Sequence, residues 1–461
     1  MKKRKIRVLI LGGGFAGVYC ARKLEKLAAR SAGAAMEVSL VSRENFIVFT
    51  PMLPQVVSGA IESNHVVVPI RQVLKRTKFY EADVESIDAW NRRAILGLPD
   101  GGKVVAEYDQ LVVALGSDAA SLARTPSGVE QGTPPVFALK SLKDALVLRN
   151  HVIDMLERAD IEPDPAKKRQ MLTFVVVGGG LSGSETAGEL CSFFREAAKY
   201  YPNIRDGGGT GHGISLVLVH SRDRLLPELD SDLAEFTRRE LEKGGVVVHL
   251  NSRVTGAAAA GHVRIKAEDG PEFSMPAGTV VWTTGVSPSP TVADIFCHSR
   301  PESGRLPVDG NLRVEGYSDV WAIGDCAHVA DGRCPPTAQH AIREAELAAE
   351  NIARAAAGRP LKEFSYAAKG QMAVIGDRKA IARISGVKIH GFAAWLLWRA
   401  VYLHKLPMLK KRLRVTFDWT INVFFDRDLT HIRGFKDESK NPAEKTDIER
   451  REKRRRSLQA H

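Results

Sequence analysis

The chain has 461 residues, 44% hydrophobic and 26% charged; this ordinary globular composition excludes a wholly disordered chain, a collagen-like repeat and a multi-span membrane protein. At about 150 residues per domain, the length allows two or three domains. Sixty-six Lys and Arg against 54 Asp and Glu leave a formal charge of +12, compatible with nucleic acid, acidic lipid or a phosphorylated cofactor as partner.

Residues 1–7 are basic, but the apolar run at 8–11 meets glycines too soon to be a signal-peptide core. Residues 6–11 form a β-branched apolar run leading into Gly12, Gly13, Gly14, Phe15, Ala16 and Gly17, then a helical stretch from Val18. Residues 173–177 repeat the pattern, leading into Gly178, Gly179, Gly180, Leu181, Ser182 and Gly183, then a helix from Ser184. The offset, 178 − 12 = 166 residues, has the size of a domain. Strand, GxGxxG turn and helix together are the context in which the motif binds a dinucleotide. The first glycine makes the turn, the second lets backbone approach a pyrophosphate, and the third lets helix and strand pack. The helix N-terminus offers unpaired N–H donors to the phosphates.

Each copy has a second strand. Residues 37–41 end in Ser42, Arg43 and Glu44, and residues 214–219 end in His220, Ser221 and Arg222. An acid at this place ordinarily takes the ribose hydroxyls. Glu44 is assigned that role in the first copy, with Arg43 packing at the adenine. The second copy has no acid there, so His220, Ser221 and Arg222 can accept a 2′-phosphate, which makes NADPH usable beside NADH. The alternative is that these are solvated loop residues and that preference is set elsewhere. Buried strands then end at Ala114 and Gly116, at Thr284 and Gly285, and at Gly324 and Asp325. Pro335, Pro336 and Thr337 open a further helix that carries Ala338 and Gln339.

Near the C-terminus, residues 391–403 and 415–425 are apolar and aromatic, and Lys405, Lys410, Lys411, Arg412 and Arg414 lie between them. Neither stretch reaches the ~18 residues needed to span a bilayer. Both can lie in an interface, with Trp and Tyr at the headgroup level and lysines reaching anionic lipid. A dimer interface or a soluble lid is the alternative. The charged tail, 436–461, reads as disordered. Nucleic-acid binding is not expected, since neither an aromatic platform nor a helix-turn-helix supports it. The five cysteines, Cys20, Cys191, Cys297, Cys326 and Cys334, contain no CxxC pair, so a disulfide scaffold and a cysteine metal site are not expected.

These motifs, together with residues 49–54 (FTPMLP), 178–190 (GGGLSGSETAGEL), 320–327 and Ala338-Gln339-His340-Ala341, resemble the two-dinucleotide-domain flavoproteins. Within them they resemble the type II (non-pumping) NADH:quinone oxidoreductases, over residues 6–435. The resemblance implies an α/β fold with two Rossmann-like, glutathione-reductase-like domains for FAD and NAD(P)H and a C-terminal amphipathic membrane-binding segment. The expected divisions are 1–135 and 301–385 for FAD, 136–300 for NAD(P)H, 386–435 for membrane anchoring or dimerisation, and 436–461 for the tail. The implied activity passes a hydride from NAD(P)H to FAD and two electrons to a membrane quinone. The expected location is the cytoplasmic face of the inner (plasma) membrane, as a peripheral, monotopic protein that can be a homodimer.

The resemblance also places Glu185 near the nicotinamide and flavin, although a helix N-terminal acid is otherwise favourable by its dipole alone. It places Thr50, Pro51 and Met52 beside the isoalloxazine, Asp325 at the ribityl chain or pyrophosphate, and Gln339 at quinone and flavin. Arg343 replaces the motif's second glutamine, so the quinone contacts differ in detail. The N-terminus of the helix at Ala338 would stabilise negative charge on the flavin. Sulfide:quinone oxidoreductase is the nearest rival, and it would need cysteines by the flavin, with Cys297 and Cys334 the candidates. A slowly turning flavin-bound regulatory protein is a rival of another class.

Overall fold

The computed structural model describes residues 5–30, 36–119, 133–205, 213–258, 261–295, 297, 300–329, 335–368 and 370–432. Cys334 and the tail at 436–461 lie outside the described residues.

The β-branched runs become buried parallel strands. A five-stranded sheet has the order Val320–Ala322, Gln110–Val113, Ile6–Leu11, Met36–Ser42, Lys78–Glu81, and every neighbouring pair is parallel. A second has the order Val136–Ala138, Thr279–Trp282, Thr173–Val177, Ser215–Val219, Val246–His249, again all parallel. The glycine-turn strand is central in both. Thr173–Val177 is buried at every position, as a strand covered on both faces must be. Each unit also carries a three-stranded antiparallel meander, beginning at Asp83–Asp88 in the first and at Ser252–Ala258 in the second. The duplication read from the two turns therefore extends to whole units. In each, strand order reverses beside the glycine strand, and ligands of open α/β sheets bind at that crevice.

The chain leaves the first unit through Ser117–Ala119 and returns through Val286–Pro288, and these two strands pair antiparallel. The returning chain contributes Val320–Ala322 to the first sheet and the helix Ala338–Ala356, which packs on the helix Phe15–Arg30. Its small residues Ala345, Ala348 and Ala349 are fully buried there.

The C-terminal part is an antiparallel sheet, Gly370–Val374, Ala380–Ile384 and Val387–His390, followed by helices Gly391–Lys405 and Leu409–Phe424. The second helix is tied to the first unit: Asp418 lies 2.6 Å from His65 Nδ1, and the Trp419 indole donates to Gln55 Oε1 at 3.1 Å. Two expectations are corrected here. Trp395, Trp398 and Trp419 do not sit at the surface; they are 7%, 1% and 4% exposed, because their large apolar area is better covered by the protein core. Lys411 does not join an outward cationic cluster; it is buried and donates to the Asn64 carbonyl at 2.5 Å. The outward stripe consists of Leu409, Leu413, Phe417 and Phe424. Among the described residues no helix is long and apolar enough to cross a membrane.

Candidate functional site: two dinucleotide cradles and a buried acid

Both glycine turns have the same steric logic. Gly12 and Gly178 take φ of +114° and +110°, where side chains are strained. A Cβ on Gly17 would fall 1.8 Å from the Gly12 carbonyl oxygen, and one on Gly183 would fall 1.7 Å from that of Gly178. Only glycine allows each helix to start this close to its strand. The middle glycines differ: a Cβ on Gly14 would meet nothing within 4 Å, and one on Gly180 only Glu228 at 3.9 Å. Backbone there faces open space, as a pyrophosphate requires. The Gly180 N-cap makes no side-chain capping bond, so the N–H donors of the second helix remain available for phosphate. The residues present thus fit two dinucleotides.

Around the first cradle, Ala16 lies against Gly324, 3.1 Å from where a Cβ of that glycine would be. The Gly324 N–H donates to Glu344 at 2.5 Å. Burial pushes this Glu344 carboxyl up to about 7. Asp325 accepts from Ser117 Oγ at 2.7 Å and pairs with Lys140 at 3.0 Å. Ala114 is buried behind the turn, and Gly116 has φ of +68° beside open space. Arg43 is held 2.6 Å from Asp83, while Glu44 is exposed. Thr50 and Pro51 open a short 3-10 turn next to Phe49, whose ring meets Phe15 edge-on at 5.9 Å.

Around the second cradle, the Gly179 N–H donates to His220 Nδ1 at 3.0 Å. That bond leaves the ring proton on Nε2, which is buried with no partner among the described residues. Burial and then Arg222 lower the His220 pKa, so the ring braces the turn as a neutral group. Ser221 and Arg222 are exposed beside it, and Ser182 is exposed on the first turn of the helix that Leu181 opens. Thr283 and Thr284 back Gly178, and Gly285 follows at φ +73°.

Glu185 lies one turn into the same helix. Its Oε1 accepts the Val374 N–H at 3.2 Å. The residue keeps some exposure, but burial of its carboxyl dominates and pushes it up to about 8; the Val374 bond opposes this and Glu189 adds to it. Gln339 is fixed by Tyr366, which donates to its Oε1 at 3.1 Å, and donates in turn to the Gly370 carbonyl at 3.4 Å. Its neighbour Ala338 starts the helix, with the Thr337 side chain accepting from His340 N. Arg343 turns outward to Glu346 at 2.8 Å.

Tyr402 was not singled out from the sequence. Its ring meets Phe49 edge-on at 5.9 Å and stacks on Trp398 at 4.5 Å. Its pKa is raised by burial and by Glu185, which puts a C-terminal helix at the same centre. Lys140, Ser117, Glu344 and Glu189 were also missed; each meets its partner across a sequence separation that no local motif reveals, except Glu189, which the four-residue spacing to Glu185 marks. The four described cysteines are free, and burial pushes Cys20 and Cys326 up to about 12, opposite to a nucleophilic thiolate.

A family model for pyridine nucleotide-disulphide oxidoreductases matches residues 6–345, and one for the NDH2 C-terminal domain matches residues 368–428. A type II NADH:quinone oxidoreductase of Mycobacterium tuberculosis is 30% identical over 437 residues, 92% of this chain and 89% of that one. An external alternative NAD(P)H-ubiquinone oxidoreductase of Solanum tuberosum is 32% identical over 71% of this chain and 56% of its own length. In fold, the chain is similar to the NDH2 of Plasmodium falciparum in complex with NADH, with a TM-score of 0.81 at 20% identity, covering 93% of this chain and all of that one. With its duplicated cradles and matching C-terminal segment, the chain belongs to the pyridine nucleotide-disulphide oxidoreductase family and, within it, to the type II NADH:quinone oxidoreductases.

Proposed function

We propose that the protein is an FAD-dependent oxidoreductase that passes reducing equivalents from NAD(P)H to a membrane quinone without pumping protons. The observation that carries this is the pair of open glycine cradles joined across one centre by Glu185 and Tyr402. When bound, FAD and NAD(P)H supply the hydride and electron chemistry; the chain supplies position and charge. In this reading the turn from Gly12 through Gly17, with Gly324 and the Asp325–Lys140–Ser117 cluster, holds FAD. The turn from Gly178 through Gly183, with Ser221 and Arg222, holds NAD(P)H. Thr50, Pro51 and Gln339 frame the reacting face, and the neutral Glu185 holds a proton on Oε2, since Oε1 is occupied by the Val374 N–H. An anaerobic titration with NADH and NADPH should bleach the yellow protein, and a short-chain quinone should restore the colour. A polypeptide that stays colourless after reconstitution with FAD would exclude the proposal.

The same reading makes the protein peripheral and monotopic, on the cytoplasmic face of the inner membrane. It is supported by the exposed stripe of Leu409, Leu413, Phe417 and Phe424, by exposed Phe392 and Leu396 on the preceding helix, and by exposed Lys405, Lys410 and Arg414. Apolar side chains flanked by cations suit an anionic lipid surface. Flotation with anionic and with neutral liposomes tests it: binding should require the anionic lipid. Co-sedimentation as a homodimer with no liposome binding would assign the stripe to a second copy instead.

A further inference from the structure

We propose that a cavity behind the helix Leu181–Ala197 admits solvent protons to the reaction centre, and that Glu189 passes them to Glu185. This rests on the function proposed above and names a relay residue for it. The need follows from the balance of the reaction. Oxidising NADH to NAD+ releases one hydride, whereas converting a quinone to a quinol consumes two electrons and two protons. One proton per turnover therefore enters from solvent.

The cavity has a volume of about 360 Å³ and is walled by Glu189, Glu196, Val374, Trp419, Arg399 and Arg427. A polar space of this size holds several waters. Its wall reaches Glu185 through Val374, which lines the cavity and donates its N–H to Glu185. Glu185 and Glu189 are four residues apart on one helix, which puts their Cβ atoms about 6 Å apart on a common face. Glu189 is 5% exposed. Its Oε2 accepts from Ser58 Oγ at 2.7 Å and from Arg427 Nη1 at 3.4 Å. The Arg427 Nε lies 3.5 Å from Glu196, two turns further along the helix. Arg427 thus links the carboxyl groups of Glu196 and Glu189, and Glu185 follows one helical turn beyond Glu189.

Tyr402 faces Glu185 from the first C-terminal helix. Arg399 faces Glu189 from the same helix, held between the rings of Trp395 and Trp419 with centroid distances of 3.6 and 4.6 Å. Arg378 and Asp377 complete the wall, and Asp377 is engaged by Arg195. The stacked guanidinium of Arg399 offsets the negative charge on Glu189 without donating a proton to it. Glu185, half-buried against Val374 and Tyr402, has this cavity on its Val374 side as a route to water.

The test follows the Glu185 proton directly. In the holoenzyme, infrared spectra should show a carboxylic-acid carbonyl band that disappears in Glu185→Gln; subtracting that variant removes the contribution of the other raised acid, Glu344. On rapid mixing with D2O, the band should shift fast in the unaltered protein and at least about tenfold more slowly in Glu189→Gln. Glu189→Asp should restore most of the rate, and Val423→Trp, which narrows the cavity from the outer helix, should slow it without touching Glu189. The quinone half-reaction should slow in parallel. Unchanged exchange in both Glu189→Gln and Val423→Trp overturns the relay. Bleaching by NADH in the unaltered protein separately tests the function on which the relay rests.

Discussion

The two dinucleotide units share strand order, turn geometry and open middle glycines, yet they differ at the residues that would touch chemistry. The 166-residue offset maps Glu185 onto Tyr19 and Glu189 onto Lys23. In the first unit Lys23 is spent on an ion pair with Glu350 at 2.6 Å. In the second, the matching helix face carries two acids, the half-buried Glu185 and the buried Glu189. At the end of the second strand, Ser42 fills the space behind Gly13, and His220 fills it behind Gly179. The two units thus share the glycine cradle, while the rest of each helix differs: one face is spent on an ion pair and the other carries the two acids of the proposed relay.

The sharpest break of this comparison is at the third glycines. Gly17→Ala and Gly183→Ala place equivalent methyl groups within 1.8 Å of a carbonyl oxygen, and overpacking of this kind costs about 3 kcal/mol. The two should nevertheless fail differently. Gly17→Ala should yield a folded but colourless protein. Gly183→Ala should remain yellow, with its NADH affinity lowered on the order of a hundredfold. Flavin absorbance per chain and an NADH bleaching titration separate them, and identical losses in both would deny the division of labour.

Next in size is the pH dependence that Glu185 adds in the second unit, beside the one that Glu344 gives the first. Folding raises Glu185 from an ordinary 4.5 to about 8, so the native state binds more protons than the unfolded state between these values. Stability from this group is complete below about pH 4.5 and falls as pH rises towards 8, by up to a few kcal/mol at about 1.4 kcal/mol per pH unit. Glu185→Gln should make that decline shallower in thermal melts, leaving the part due to Glu344, whereas Tyr19→Phe should leave it whole.

Smaller still, Arg222→Ala should lower kcat/KM for NADPH about tenfold and leave NADH within about twofold, as expected for one charge-assisted contact to a 2′-phosphate. A large NADH preference already present and unaltered in Arg222→Ala would end the case for NADPH. The smallest effect belongs to Asp83→Ala, which frees the exposed Arg43; surface ion pairs contribute about 0–1 kcal/mol, so the melting temperature should hardly move.

The cradles were legible in the sequence because glycine alone meets their steric demands, and those demands are local: a positive φ at Gly12 and a near contact at Gly17. The repeat of strand, turn and helix was legible too, but the order of the strands within each sheet was not. The joint between the units was not legible. Asp325 meets Lys140 across 185 residues, and nothing adjacent to either residue predicts it. The C-terminal helices were half legible. Their apolar character is plain, but periodicity cannot tell which apolar face meets protein and which meets lipid. The tryptophans, read as surface anchors, turned inward because an existing core offered them full cover.

The paired strands Ser117–Ala119 and Val286–Pro288 carry one more implication. They make the second unit an insert whose entry and exit lie side by side, and an insert of that kind can be exchanged as a cassette. Donor preference could then drift, or be re-engineered, by swapping the guest while the host's pigment pocket stays intact. The limit on such grafts is the guest helix bearing Glu185, which any replacement would have to supply anew.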